Sequence, residues 1–110
     1  MQGIFDLMYE GDIYVGTFEI DSEKNKWVYN ADGLFSEQPL VFRLQLKDQE
    51  GKILIGDVVR DWLITRAPEP NYTFIDALME RAGITEYDPL AFVMYNSGRF
   101  NTDRYYLTQA

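Results

Sequence analysis

Residues Ile4 to Ile20 read IFDLMYEGDIYVGTFEI, two alternating apolar runs with a glycine turn between them. In Ile4–Tyr9, Phe5, Leu7 and Tyr9 share one face, and Ile4, Asp6 and Met8 the other. Glu10-Gly11-Asp12 turns the chain. In Ile13–Ile20, Tyr14, Phe18 and Ile20 fall on one face, and Ile13, Val15, Thr17 and Glu19 on the other. Period-two alternation with aromatic and β-branched residues predicts a β-hairpin. Gly16 inside the second strand predicts a bulge or a close backbone approach.

More strands follow before any helix. Ser22–Asn25 is a polar turn, Lys26–Tyr29 a short third strand, and Asn30–Pro39 a loop around Asp32-Gly33. Leu40–Lys47 alternates cleanly: Leu40, Phe42, Leu44 and Leu46 point inward, against Val41, Arg43, Gln45 and Lys47. This predicts a half-buried antiparallel strand. Asp48–Gly51 turns the chain, and Lys52–Ile55 offers a short partner strand.

From Asp57 the period lengthens. Asp57 caps a helix with Val58, Val59, Trp62 and Leu63 on one stripe, ending before Pro68. Ala67–Pro70 is an extended connector, because each proline disfavours helix in the residue before it. Thr73 starts a second helix, with Phe74, Ile75, Leu78 and Met79 on its stripe and Gly83 closing it. Asp88-Pro89 opens a third, Leu90–Tyr95, which Asn96-Ser97-Gly98 ends. The tail from Arg99 to Leu107 returns as a strand. Strands followed by helices define an α+β domain: an antiparallel sheet of four to five strands, packed on one face by two or three short helices, its other face wet. Residues 1–110 are expected to form one domain.

Composition narrows the function. The chain has 18 acids against 10 bases, and no His or Cys. Thiolate chemistry, disulfides and a Ser-His-Asp triad are therefore excluded. The glycines are dispersed and form no phosphate-cradling loop. Acid pairs such as Asp57 with Asp61, Asp76 with Glu80 and Glu86 with Asp88 read as solvated helix faces at this acid content. No catalytic residue, cofactor or metal is expected, and the chain reads as a non-enzyme. The excess of acid also opposes contact with nucleic acid or anionic membranes. A helix-turn-helix reading fails on charge, since its second helix would bring Asp76 and Glu80 to the phosphates. The N-terminus has no basic segment followed by an apolar run, and no window is apolar enough to span a membrane, so a cytoplasmic location is expected.

The charge is lopsided. Met1–Glu23 holds six carboxylates and no Lys or Arg. Solvation of a wet sheet face, or protection of a sheet edge, accounts for carboxylates in general. Complete absence of bases over 23 residues points further, to a surface that engages a cationic partner. The expected partner-binding residues are Asp6, Tyr9, Glu10, Asp12, Tyr14, Glu19, Asp21, Glu23 and Trp27, the aromatics serving as anchors among the acids.

Asp12–Lys47 resembles the first N-terminal subdomain of HipA-type toxin kinases. The shared features are Val15-Gly16 in a short strand, Trp27-Val28-Tyr29, Leu34-Phe35, and a strand opened by Pro39-Leu40. The Asn-Leu-Leu-Pro-Glu-like run that follows in that family is missing, as is the kinase domain. The resemblance implies a free-standing module that binds and restrains a partner without phosphotransfer.

The second half resembles small proteins carried by mobile elements of Gram-positive bacteria. It shares Asp61-Trp62-Leu63, Arg66, Pro70, Ile75, Leu78, Gly83-Ile84, Tyr87-Asp88, and Asp103 with Tyr105-Tyr106. That implies a phage, plasmid or transposon context, in which small acidic proteins often inhibit host nucleases. The resulting expectation is an acidic, anti-CRISPR or anti-restriction type inhibitor that mimics DNA and fills the basic groove of a defence enzyme. An antitoxin-like module that binds a partner kinase is the alternative.

Overall fold

The computed structural model describes residues 1–47, 49, 51–99 and 103–110. The expected turn at Asp48–Gly51 and the start of the tail include residues 48, 50 and 100–102, which lie outside the described set.

The opening hairpin forms as its alternation dictates, with β1 Gln2–Tyr9 and β2 Ile13–Asp21. β3 Lys26–Asn30 and β4 Ile53–Ile55 extend the sheet on one side, and β5 Tyr105–Gln109 pairs with β1 on the other. All pairings are antiparallel, in the order β4-β3-β2-β1-β5. Among the described residues, a 3-10 turn at Phe35–Glu37 and four helices lie between β3 and β5, one helix before β4 and three after it. These are α1 Leu40–Leu46, α2 Asp57–Ile64, α3 Ile75–Ala82 and α4 Pro89–Asn96. The α+β architecture follows the sequence expectation.

One face of the sheet is dry. Phe5, Leu7, Phe18, Ile20, Tyr29, Leu54 and Leu107 meet Phe42 and Leu46 from α1, Val59 and Leu63 from α2, and Phe92 and Val93 from α4. Phe18 stacks on Trp62 at 5.8 Å between ring centroids, and Tyr29 on Phe42 at 4.6 Å. Burying each such side chain contributes about 1.5–3 kcal/mol. Among the described residues the buried polar side chains Gln38 and Arg66 are both bonded, while Nε of Arg43 on α1 is buried without a partner. The Gln38 amide donates to the Val15 carbonyl at 2.7 Å and accepts from the Tyr29 hydroxyl. Arg66 forms a two-pronged bond to Asp103, donates through Nε to the Gly98 carbonyl at 2.9 Å, and lies over the Trp62 ring. That clamp ties the approach to β5 onto α2.

The largest correction concerns Leu40–Lys47, which is a helix rather than a strand. Phe42 and Leu46, one helical turn apart, are buried, while Leu40 and Leu44 are 64% and 66% exposed. An inward strand face would have buried all four. A seven-residue alternation is also an i, i+4 pattern, and the position beside β3 is taken by β4. Pro39 leads into the helix, and Lys47 ends it in the left-handed conformation.

Smaller corrections fall at element starts. Gly56, not Asp57, is the cap of α2, and Asp57 is its first helical residue. α3 begins at Ile75 rather than Thr73, which leaves Phe74 exposed. Gly83 closes α3 with φ 70°, and the Asp88 carboxylate caps α4 by accepting from the Leu90 amide at 3.0 Å.

Tyr14 is also corrected. A bulge opposite Leu7 and Met8 inserts Val15 and reverses the facing of everything before it. Tyr14 thus shares the open face with Met8, its register partner, and not the dry face with Phe18.

Candidate interaction surface on the open sheet face

Residues of alternate parity make the uncovered face. Register places Thr108, Asp6, Thr17, Asn30 and Ile53 in one row across all five strands. A second row runs Ile4, Glu19, Val28, Ile55, and a third Tyr106, Met8, Tyr14. Ile4, Ile53 and Ile55 are exposed. The face therefore alternates carboxylate, hydroxyl and aliphatic groups.

Three carboxylates are held by hydroxyls. The Tyr14 hydroxyl donates to Asp32 Oδ1 at 2.5 Å, and the Tyr106 hydroxyl donates to Asp12. Thr17 Oγ1 stands 2.5 Å from the Tyr14 oxygen and 3.3 Å from Asp6 Oδ1. Tyr14 and Thr17 have two hydroxyl hydrogens between them for these three contacts. Tyr14 gives its hydrogen to Asp32 and Thr17 shares its own between the Tyr14 oxygen and Asp6 Oδ1, which still leaves Asp6 with open lone pairs for an outside donor. Desolvation, with the Asp32 bond next, pushes the Tyr14 hydroxyl up to about 12, so it remains a neutral donor.

The six hairpin acids are not one cluster. Asp6, Glu19 and Asp21 belong to the open face, Glu10 and Asp12 to the hairpin tip, and Glu23 to the turn at the opposite end. Two are matched by the molecule's own bases: Lys26 lies 2.8 Å from Glu19, and Arg104 lies 2.7 Å from Glu10. Asp21 accepts from the Lys24 amide at 3.3 Å. Among the described residues, no Lys or Arg forms an ion pair with Asp6, Asp12 or Asp32.

Two of the expected aromatic anchors lie on the wrong side. Trp27 is 5% exposed and shares the dry face with Tyr29, its indole N–H donating to Asn25 Oδ1 at 2.7 Å. Tyr9 follows Phe5 and Leu7 inward and packs edge-on against Tyr105 at 5.0 Å. Neither can anchor a partner on the acidic face. Tyr14 is on that face.

Sequence reasoning missed Asp32, Thr17 and Tyr106. Asp32 arrives because the Gly33 amide bonds to the Val15 carbonyl at 3.1 Å, which docks the loop on the bulge. Gly33 is required there, since a Cβ would meet the Val15 carbonyl oxygen at 2.4 Å. The Asp-Gly pair after β3 was the available signal.

Three of the paired helix acids have local roles. Arg60 bridges Asp57 at 3.2 Å and Asp61 at 3.0 Å, and Asp88 is a cap. Among the described residues, no three acids converge as a metal would need. None of the described helices is long and apolar enough to cross a membrane. No family model matches the chain, and neither does any curated protein or solved structure.

Proposed function

We propose that the chain is a non-enzymatic, cytoplasmic binding module whose open sheet face engages a basic protein surface. The partner class is a bacterial nucleic-acid-processing enzyme from a defence system, bound in its basic groove and inhibited there. The observation that carries this reading is the set Asp6, Asp12 and Asp32. These carboxylates are bonded by Thr17, Tyr106 and Tyr14, and among the described residues none of them forms an ion pair with a Lys or Arg. Carboxylates fixed in this way lose little entropy on binding, and exposed aliphatic neighbours such as Ile4 supply area that water leaves. A net charge of −8 steers the approach to a cationic groove.

The test is capture from a bacterial lysate on the immobilised chain, beside a chain carrying Asp6→Asn, Asp12→Asn and Asp32→Asn. The proposal requires a nuclease or related enzyme held at low salt by the first and not by the second. A kinase captured in its place would support the antitoxin-like alternative. Identical captures on both chains would remove the acidic face from consideration.

A further inference from the structure

The two edges of the sheet differ. On β5 the outward-pointing Leu107 amide donates to the Ser97 carbonyl at 2.7 Å, so the end of α4 partly caps that edge. On β4, bonds from Ala31 N to Lys52 O and from Gly56 N to Trp27 O fix the phase of pairing with β3. Alternation then points the N–H and C=O of Leu54 at β3, and those of Ile53 and Ile55 away from it. Among the described residues nothing bonds to these four outward groups. The two isoleucine side chains beside them are 51% and 71% exposed.

We propose that this edge pairs antiparallel with β4 of a second copy, about a twofold axis at Leu54. Ile53 of one copy then faces Ile55 of the other, and both exchange N–H···O=C bonds, giving four bonds across the axis. The four isoleucines form one apolar strip on the outer surface. The same register brings Lys52, at the start of β4, next to Asp57 of the other copy, just past the end of its β4. Within its own copy Lys52 Nζ donates to the Gln45 carbonyl at 3.2 Å, and Asp57 is bridged by Arg60. The Asp57 carboxylate is nonetheless 77% exposed, and the ammonium has further hydrogens to give. A parallel pairing would set Lys52 against Lys52. Charge therefore selects the antiparallel register. Both open faces lie on the same side of the resulting ten-stranded sheet. The contact is far smaller than the roughly 800 Å² per partner of a stable complex, so association is weak and reversible. It is independent of the partner proposed above.

The test is sedimentation of the whole chain over a wide concentration range at physiological ionic strength, where charge repulsion is screened beyond about 8 Å. A reversible monomer–dimer equilibrium is expected. Ile55→Pro removes an outward N–H that β3 does not use, and should abolish the dimer. Lys52→Glu should weaken it roughly tenfold, and adding Asp57→Lys should restore it. The charge swap decides the matter even if the proline variant does not fold. A wild-type chain that stays monomeric at its solubility limit overturns the proposal, and so does a dimer indifferent to Lys52→Glu.

Discussion

Gly16 on β2 passes directly beneath the ring of Tyr29 on β3: a Cβ at Gly16 would lie 2.3 Å from the Tyr29 hydroxyl oxygen and 2.5 Å from Cζ. Tyr29 cannot retreat, because its ring is fully buried and its hydroxyl is bonded to Gln38. Gly16→Ala should therefore destabilise the fold by about 1–3 kcal/mol. Thermal unfolding would show it as a lowered Tm.

The Arg66–Asp103 clamp is the second pressure point. Arg66 is 4% exposed, so removing its carboxylate strands a buried charge. Asp103→Ala should cost roughly 3 kcal/mol in denaturant unfolding.

Acid should act on the same pair. Desolvation raises the Asp103 carboxyl pKa, but the Arg66 bonds and charge outweigh it and hold the group below its usual 3.8. A lowered folded value stabilises above the unfolded pKa and is lost as pH falls through the folded one. Stability measured below pH 3.8 should accordingly fall more steeply in the wild type than in Asp103→Ala.

Alkali should unfold the protein through its tyrosines. Burial pushes Tyr14 and Tyr105 up to about 12, and Tyr29 higher still. A raised folded pKa stabilises below the unfolded value of about 10 and is lost as pH rises past it. The share of phenolate absorbance that belongs to Tyr14, Tyr29 and Tyr105, identified by Tyr→Phe variants at these positions, should appear together with loss of circular dichroism above pH 10, not ahead of it.

The helical reading of Leu40–Leu46 has its own check. Phe42→Ala should cost about 3–5 kcal/mol, while Leu44→Glu should shift stability by no more than about 0.5 kcal/mol. A half-buried strand would suffer from both substitutions. Equilibrium unfolding of the two variants separates the cases.

These residues also show what the sequence made legible. Parity in β1 placed Phe5 and Leu7 on the dry face, and Gly83 and Asp88-Pro89 marked helix ends, because those signals are local. Leu40–Leu46 failed because seven alternating residues satisfy both periods, and the choice was made by β4 occupying the strand position. Tyr14 failed because one inserted residue at the bulge reverses facing. At the site, the acids of the hairpin were visible, but their availability was not. Arg104 reaches Glu10 and Tyr106 reaches Asp12 only once β5 lies beside β1.

The most direct measurement is the affinity of the captured enzyme for the wild-type chain and for the Asp6→Asn, Asp12→Asn, Asp32→Asn variant, with and without competing DNA. We expect binding at least tenfold weaker for the variant, screened by salt, and displaced by DNA. Equal affinity in a folded variant, or binding that DNA leaves untouched, would contradict an acidic face that occupies a nucleic-acid groove.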